Sequence, residues 1–188
     1  MPLNIDEFLN KYKEATQERW DTTSISVMVF GPSTNSSKLS SKLRNYIINK
    51  CNEYGVTLRC EHSGFINIHR EKLGSKKNLI FAELDAARFV DVIIIIPDSP
   101  GSFVELGMLS PFKNIHRNIL ILFNDKYEKD NNSFIYSGPK LAYEENNAKV
   151  LYVSYRKKQS TWETVKSFLL EKKASKYEGD IVRDLVGT

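Results

Sequence analysis

The run of residues 91–107, DVIIIIPDSPGSFVELG, constrains the fold of this chain more than any other segment. Residues 92–96 are all β-branched and apolar, and Pro97 ends the run. Such a run is typical of a parallel strand that is covered on both faces. A turn follows, and the pattern predicts a helix over residues 102–109 with Glu105 in its first turn. Because ligands of open α/β sheets bind outside the carboxyl ends of the strands, this turn is a candidate site.

Two carboxylates and two small residues of this turn are candidates for chemistry. We expect Glu105 to act as a nucleophile or to stabilise an oxocarbenium-like centre. Asp98 would bind sugar hydroxyls or protonate a departing base, while Gly101 and Ser102 would hold a phosphate or a ribose. A structural alternative stays open, in which Ser102 and Glu105 form a capping box. In that alternative Gly101 is a turn residue of positive φ, and Asp98 is an ordinary turn aspartate.

A second candidate turn begins with Gly31, Pro32 and Ser33, at the end of an earlier predicted strand. Its hydroxyls and amides precede a helix and could hold a phosphate or ribose, although they also fit a serine-rich helix cap. The turn has neither the G-x-G-x-x-G spacing nor the lysine of a P-loop. His62, after the second strand, and Asp85, on the next helix, could face the same cleft. For His62 the alternative is an ordinary surface or core residue.

The remaining pattern predicts strands that alternate with helices, as in βαβ units. The predicted fold class is therefore α/β, with a doubly wound (Rossmann-like) parallel sheet of about five strands in a single domain over residues 1–188. Residues 65–74 have no assignment, and residues 174–188 form a short helix or a frayed end. The predicted strands are 25–30, 56–60, 91–96, 118–123 and 149–155, and the predicted helices between and after them are 37–54, 77–89, 102–109 and 161–173.

Two segments lie outside this alternation. Residues 1–20 form an amphipathic N-terminal helix, with Ile5, Phe8 and Tyr12 at helical spacing. This helix packs either on its own domain or on a second subunit, so a homo-oligomer is one expectation. Residues 124–148 are polar and too long for an ordinary connection, which is typical of a lid, a binding loop or a disordered segment.

The composition is that of a soluble globular protein of 188 residues, with 41% hydrophobic and 27% charged residues. No apolar run approaches the roughly 18 residues of a membrane helix, and the polar N-terminus is unlike a signal peptide. We therefore expect a cytoplasmic protein without membrane contact. Two cysteines and three scattered histidines lack metal-ligand spacing, so no metal and no cofactor are expected, and Cys51 is predicted to be a core residue.

The formal net charge of +4 permits contact with nucleotides or nucleic acid without requiring it. Two basic clusters lie near the C-terminus. They are either solvated helix faces or a surface that contacts phosphate backbones. Their members are Arg156, Lys157 and Lys158 in the first cluster and Lys172, Lys173 and Lys176 in the second.

The order of these features resembles the nucleoside 2-deoxyribosyltransferase-like family and its SLOG and LOG relatives. The segment 99–107, SPGSFVELG, is similar to the family's catalytic-glutamate motif. Phe30 stands near the position where the transferases usually carry a tyrosine, and a single Gly101 replaces the paired glycines of LOG proteins. The other segments that carry the resemblance are the first strand end FGPS (30–33), IFAELD (80–85) and ARFVD (87–91).

The resemblance implies cleavage or exchange of an N-glycosidic bond in a nucleoside, a nucleotide or NAD. The carboxylate that assists Glu105 stays open among Asp85, Asp91 and Asp98. The residues of the glutamate motif are also similar to those of effectors of retron-type antiphage systems. This similarity implies a toxic activity, and it implies a reverse transcriptase with its DNA–RNA product as partner. Two alternatives keep the same fold: a non-catalytic SLOG-type sensor of a nucleotide-derived signal, and a ribonucleoprotein or nucleic-acid partner domain.

Overall fold

A computed structural model describes residues 4–58, 68, 71, 79–129 and 133–186. Its centre is a sheet of five strands, all parallel, in the order β2-β1-β3-β4-β5. The predicted doubly wound α/β fold is confirmed, and the strand boundaries agree with the predicted ones to within two residues wherever the structure describes them. The strands are β1 (Ile25–Phe30), β2 (Gly55–Leu58), β3 (Val92–Ile95), β4 (Ile119–Asn124) and β5 (Lys149–Val153).

Helices follow the strands and cover both faces of the sheet. α2 and α7 pack on one face through Leu43, Ile47 and Phe168, and the other face carries Ala86 of α3 and Leu106 of α4. Burial on both faces explains why the strand sequences are apolar without alternation. The helices are α1 (Ile5–Thr22), α2 (Leu39–Cys51), α3 (Leu79–Phe89), α4 (Pro100–Leu109), α5 (Lys113–His116), α6 (Leu141–Glu145) and α7 (Lys158–Val186).

Cys51 confirms its predicted place in the core. It is fully buried against the α2–α7 face of the sheet. Burial raises the pKa of its thiol to about 12, since a low dielectric disfavours the thiolate. At neutral pH the side chain is therefore a small hydrophobic group.

Two segments of the C-terminal half differ from the simplest expectation. α7 begins at Lys158 and continues without a break to Val186, so the alternatives left open for residues 174–188 resolve into a continuation of this helix, whose distal half packs beside α1 through Trp20 and Tyr177. The stretch 124–148 is not a structureless loop where it is described. It contains a 3-10 turn (Asp125–Tyr127), a π-helical turn (Tyr136–Lys140) and α6.

α6 is held to the sheet layer by Tyr143. This side chain is fully buried, and its hydroxyl donates a hydrogen bond of 2.7 Å to the Leu106 carbonyl of α4. The buried His116 ring lies 4.5 Å from the Tyr143 ring. Tyr143 thus anchors the connection between β4 and β5 in the hydrophobic core.

α1 has a different character from the other helices. None of its residues is buried, and Ile5, Phe8 and Tyr12 are more than half exposed. Its predicted helicity is confirmed. Within the described ranges, no helix combines the length and the apolar character that crossing a membrane requires.

Candidate functional site at the carboxyl edge of the sheet

In this strand order, β2 is added on one side of β1 and β3 on the other. The topological switch point of the sheet therefore lies between β1 and β3. In a doubly wound sheet of this order, the crevice outside the carboxyl ends of those two strands is the general ligand position. The turns after both strands meet there, since the Ile96 amide donates to the Phe30 carbonyl at 3.0 Å. The two turns that the sequence singled out are thus brought together at one site.

Gly31 lies where the two turns are in close contact. Its φ of 158° is unusual for a residue with a side chain. A Cβ atom there would lie 3.2 Å from Arg44 Cδ and 3.3 Å from Ile96 Cβ. A glycine is therefore needed at this position both for the backbone conformation and for the contact between the turns.

A buried arginine, which sequence reasoning missed, holds the turn after β1. Arg44 of α2 is only 1% exposed. Its Nη1 donates to the carbonyls of Gly31 (3.2 Å) and Pro32 (3.1 Å), and its Nη2 donates to Val29 (2.7 Å). In the sequence Arg44 looks like an ordinary helix-surface cation, and only its spacing of three and four residues from the buried Ile47 and Ile48 indicated that it belongs to the buried face.

Pro32 and Ser33 lie on opposite sides of this turn. Pro32 is buried, whereas Ser33 is exposed at the surface of the crevice. The Ser33 hydroxyl accepts a hydrogen bond of 3.4 Å from the Asn35 amide, and Asn45 of α2 donates to the Thr34 carbonyl at 2.8 Å. Contacts from α2 therefore fix the turn on its inner side, while Ser33 on its outer side is exposed to solvent.

The turn after β3 is stabilised by its own serines. Ser99 is the N-cap of α4, and Ser102 occupies the third helical position of a reciprocal capping box. The Ser102 hydroxyl also accepts from the amides of Asp98 (3.0 Å) and Ser99 (2.9 Å). Ser102 is 1% exposed, so its hydroxyl shapes the turn, and direct ligand binding by it stays a prediction.

The observed cap corrects two expectations. The capping box is formed by Ser99 and Ser102, not by Ser102 and Glu105, because α4 begins at Pro100 rather than at residue 102. Gly101 is therefore an exposed helical residue in the first turn, and it has no positive φ. Its backbone amide is among the helix-start donors that have no acceptor within the helix.

Glu105 lies in the second turn of α4 rather than the first, and the cap does not use it. Its spacing of three and four residues from the buried Ser102 and Leu109 places it toward the inward face of the helix, and its Oε2 atom is buried. Helical side chains lean toward the helix N-terminus. The carboxylate therefore leans toward the helix start, where the strand ends meet.

Asp98 is half-buried on the side of the crevice nearest β4 and β5. A hydrogen bond to Tyr127 and, more weakly, the negative charge of Asp98 raise the pKa of Lys126. Burial, with the charge of Asp98 as a second cause, raises the pKa of Tyr155. Asp98 is thus close enough to groups after β4 and β5 to interact with them electrostatically.

The other predicted carboxylates are not placed in this crevice. Asp91 lies at the amino end of β3, where it accepts from the Ser26 amide (2.7 Å) and Lys176 Nζ (2.8 Å). It is at the opposite edge of the sheet and cannot assist Glu105. Asp85 is exposed and lines a separate cavity of about 500 Å³ between α3 and the end of α4, together with Leu109 and other residues. His62 lies outside the described residues.

The two basic clusters have different surroundings. Lys172 and Lys173 lie over the Phe168 and Trp20 rings, at 5.1 and 5.0 Å, and Lys176 pairs with Asp91. Arg156 and Lys157 are exposed in the turn after β5. Lys158 is also exposed, begins α7 and has its Nζ atom 5.4 Å from the centre of the Tyr46 ring. The first cluster therefore lies at the same edge of the sheet as the candidate site.

Comparison with known proteins agrees with this architecture. The family described as STM3845 retron effector protein matches residues 40–184, which include both Arg44 and the whole turn after β3. A protein of Escherichia coli named "Retron Ec86 putative ribosyltransferase/DNA-binding protein" is 44% identical over 62 residues. That match covers 33% of this chain and 20% of the relative, so the chain spans only a fifth of the relative's length.

Proposed function

Because this chain belongs to the STM3845 retron effector protein family, we propose that it is an effector that cleaves or transfers an N-glycosidic bond of a nucleoside, a nucleotide or NAD. The observation that carries the proposal is the inward-facing Glu105, with a buried carboxylate oxygen, at the switch point of the sheet. The ribosyltransferase in the name of the Escherichia coli relative supports the same class of reaction.

The proposed reaction uses the two carboxylates in different roles. Glu105 attacks the anomeric carbon, or stabilises positive charge there, while the bond from that carbon to the base nitrogen breaks. The electron pair of the broken bond leaves with the base, which takes a proton from Asp98. Water, or the base or hydroxyl of an acceptor, then takes up the sugar and loses a proton, which restores the enzyme.

The remaining residues of the crevice would bind the substrate. The exposed turn at Gly31 and Ser33 and the helix start at Gly101 supply amides at the carboxyl edge, where anionic oxygens of a phosphate or ribose hydroxyls would lie. Pro32 and Ser102 are buried and would shape these two turns. Asp85 and His62 stay predictions for substrate contact, Asp85 because it lines another cavity.

The proposal is tested by product analysis of Glu105→Gln. Wild-type protein and the variant are incubated with a mixture of nucleosides, nucleotides and NAD, with Glu145→Gln as a matched control on an exposed site of α6. We expect free base from wild type and Glu145→Gln, and a rate lower by about a hundred-fold or more for folded Glu105→Gln. Equal release from all three proteins would contradict the role of Glu105.

Absence of product from wild type, with saturable nucleotide binding, would instead favour a sensor without catalysis. The assay is therefore repeated in the presence of the reverse transcriptase and its DNA–RNA product, since a family effector held in check would release base only in one of the two conditions. A change in product between the conditions would identify the retron partner as the regulator.

Contact with nucleic acid is a second candidate function, favoured by the exposed cluster Arg156, Lys157 and Lys158 at the carboxyl edge. Neutralising phosphates releases counterions, so affinity would fall steeply with salt. We expect a variant with these three residues changed to glutamine to bind a DNA–RNA hybrid more weakly and with a shallower salt dependence. A charge-matched control changes the exposed Lys11, Lys13 and Arg183 instead, and equal weakening in both would contradict a specific surface.

A further inference from the structure

We propose that Arg44 is the positioning residue that makes the turn after β1 a site for an anionic group, so that the ligand of the crevice is a phosphorylated compound rather than a neutral nucleoside. This inference rests on the proposed function only for the location of the ligand. It is carried by the contacts of Arg44, by the geometry of the peptide groups it holds, and by two buried hydroxyls at the start of α2.

The carbonyl groups of the turn point into the protein because Arg44 binds them. Its guanidinium donates hydrogen bonds to the carbonyls of Gly31 and Pro32 at 3.2 and 3.1 Å, on the side of the turn that faces the protein interior. In a trans peptide the carbonyl and the following N–H point in opposite directions, and no described peptide bond is cis. The Ser33 N–H therefore points away from Arg44, toward the crevice.

The peptide before it contributes no competing donor. The residue after Gly31 is Pro32, which lacks an N–H, so turning the Gly31 carbonyl inward orients no second amide. Ser33 is exposed, and among the described residues its N–H has no hydrogen-bond acceptor. One outward amide is thus presented by a turn whose carbonyl oxygens are all directed elsewhere.

The start of α2, which follows this turn in the chain, holds further groups that lack a hydrogen-bond partner. Its N-cap, Lys38, makes no side-chain cap, so the first amides of the helix have no acceptor from that source. Ser40 and Ser41 follow, both fully buried, and within the described part of the chain their hydroxyls have no hydrogen-bond partner. Buried hydroxyls are nearly always paired, so a water or an anion is expected to complete the hydrogen bonding here.

Arg44 also contributes its charge. The guanidinium is 1% exposed and lies directly beneath the turn, where solvent screens it far less than a surface cation. A neutral ribose hydroxyl gains little from this field, whereas a phosphate gains both the field and the amide donors. The geometry therefore discriminates between ligands that share the same base and sugar but differ in phosphate.

The test uses the full-length protein and inorganic phosphate as the first probe, followed by adenosine 5′-monophosphate and adenosine. Backbone amide NMR spectra are recorded for wild type, Arg44→Met and Arg44→Lys, with Arg117→Met as a control at an exposed position near the opposite edge. We expect a saturable shift of the Ser33 amide in wild type and Arg117→Met. Phosphate affinity should fall about ten-fold or more in Arg44→Met, with an intermediate loss in Arg44→Lys.

A merely structural role for Arg44 would weaken both nucleotide and nucleoside binding, so the ratio of the two affinities is the deciding readout. The inference predicts that the preference for the monophosphate over adenosine falls in both variants. It is overturned if the Ser33 amide does not respond to phosphate in wild type, or if folded Arg44→Lys keeps the full preference. Should Arg44→Met fail to fold, Arg44→Lys alone decides.

This experiment separates the inference from the proposed function. Phosphate binding that depends on Arg44, without release of base by wild type, would leave the anion site standing and remove the glycosidase. Release of base that depends on Glu105, without phosphate binding, would support the glycosidase and remove the anion site.

Discussion

The two turns that form the candidate site are stabilised in opposite ways. The turn after β1 is held from outside itself, by the guanidinium of Arg44 on the following helix. The turn after β3 is held from within, by Ser99 and Ser102 and the amides between them. The first arrangement needs tertiary packing to bring its donor into place, whereas the second can form from local sequence alone.

This difference has consequences for chemistry. A turn in which a cation binds the Gly31 and Pro32 carbonyls from inside offers an amide and positive potential to the solvent, which suits an anion. A turn that satisfies its own hydroxyls leaves its carboxylates, Asp98 and Glu105, for other interactions. Under the two proposals, the crevice would place an anion-binding turn beside an acidic one, a combination that a sugar-phosphate with a reactive anomeric carbon would use.

Removal of Arg44 should give the largest effect on stability. Arg44→Met would leave the carbonyls of Val29, Gly31 and Pro32 without their donors inside the protein, and we expect the free energy of unfolding to fall by about 3–5 kcal/mol. Urea denaturation measures this, with Lys42→Met as a control at an exposed position of the same helix. A loss no larger than that of the control would mean that the turn does not depend on Arg44.

A pair of glycine substitutions should sharpen the contrast. Gly31→Ala would place a Cβ 3.2 Å from Arg44 Cδ and 3.3 Å from Ile96 Cβ at a φ of 158°, with an expected loss of about 1–3 kcal/mol. Gly101→Ala meets nothing within 4 Å, and alanine favours the helix, so stability should stay equal or rise by up to about 1 kcal/mol. Thermal unfolding of both variants measures these changes. A larger loss of stability in Gly101→Ala than in Gly31→Ala would contradict this account.

Loss of the α4 cap should have a smaller effect. Ser99→Ala removes the acceptor of the Ser102 amide at 3.2 Å, and we expect a loss of about 1 kcal/mol. Part of the local network remains, because the Ser102 hydroxyl still accepts from the Asp98 and Ser99 amides. Ser37→Ala, at an exposed site, is the control in the same denaturation experiment, and identical midpoints would show that the cap does not stabilise the turn.

The smallest effect concerns the amino edge, away from the site. Burial opposes ionisation of Asp91, but hydrogen bonds from Lys176 and from the Ser26 amide and hydroxyl outweigh it and lower the pKa. A carboxyl whose folded pKa lies below its unfolded value near 3.8 stabilises the protein above that value, and this contribution is lost as pH falls through the folded pKa.

Comparison of Asp91→Asn with Asp85→Asn from pH 7 to pH 3 tests this account. Asp85 is exposed, so its variant should follow the wild-type profile, whereas Asp91→Asn should lose stability at pH 7 and show a flatter acid limb. An acid limb as steep as that of wild type in Asp91→Asn would assign the acid sensitivity to other groups.

Much of the candidate site was predictable because parallel strands bring their carboxyl ends to one edge. The strand runs that end at Phe30 and Ile96 and the small residues after them were enough to predict that the two turns lie at the same edge of the sheet. The helix start at Pro100 was misplaced by two residues, since the S-x-x-E pattern at Ser102 resembles a cap as closely as the real one at Ser99 does. A serine that caps and a serine that accepts the return bond have the same local sequence signature.

The sequence by itself determined the α/β class, the order of its strands along the chain and the carboxylates of the turn after β3, because apolar runs and turn residues report local conformation and burial. Tertiary structure alone decided which carboxylates lie near the crevice. Asp91 lies at the amino edge of the sheet, and Asp85 lines another cavity. Arg44 stabilises the turn after β1. The physical reason is that strand order and helix rotation arise from packing between segments far apart in the chain. Helical spacing can indicate that Arg44 belongs to a buried face, but not which carbonyls its guanidinium binds.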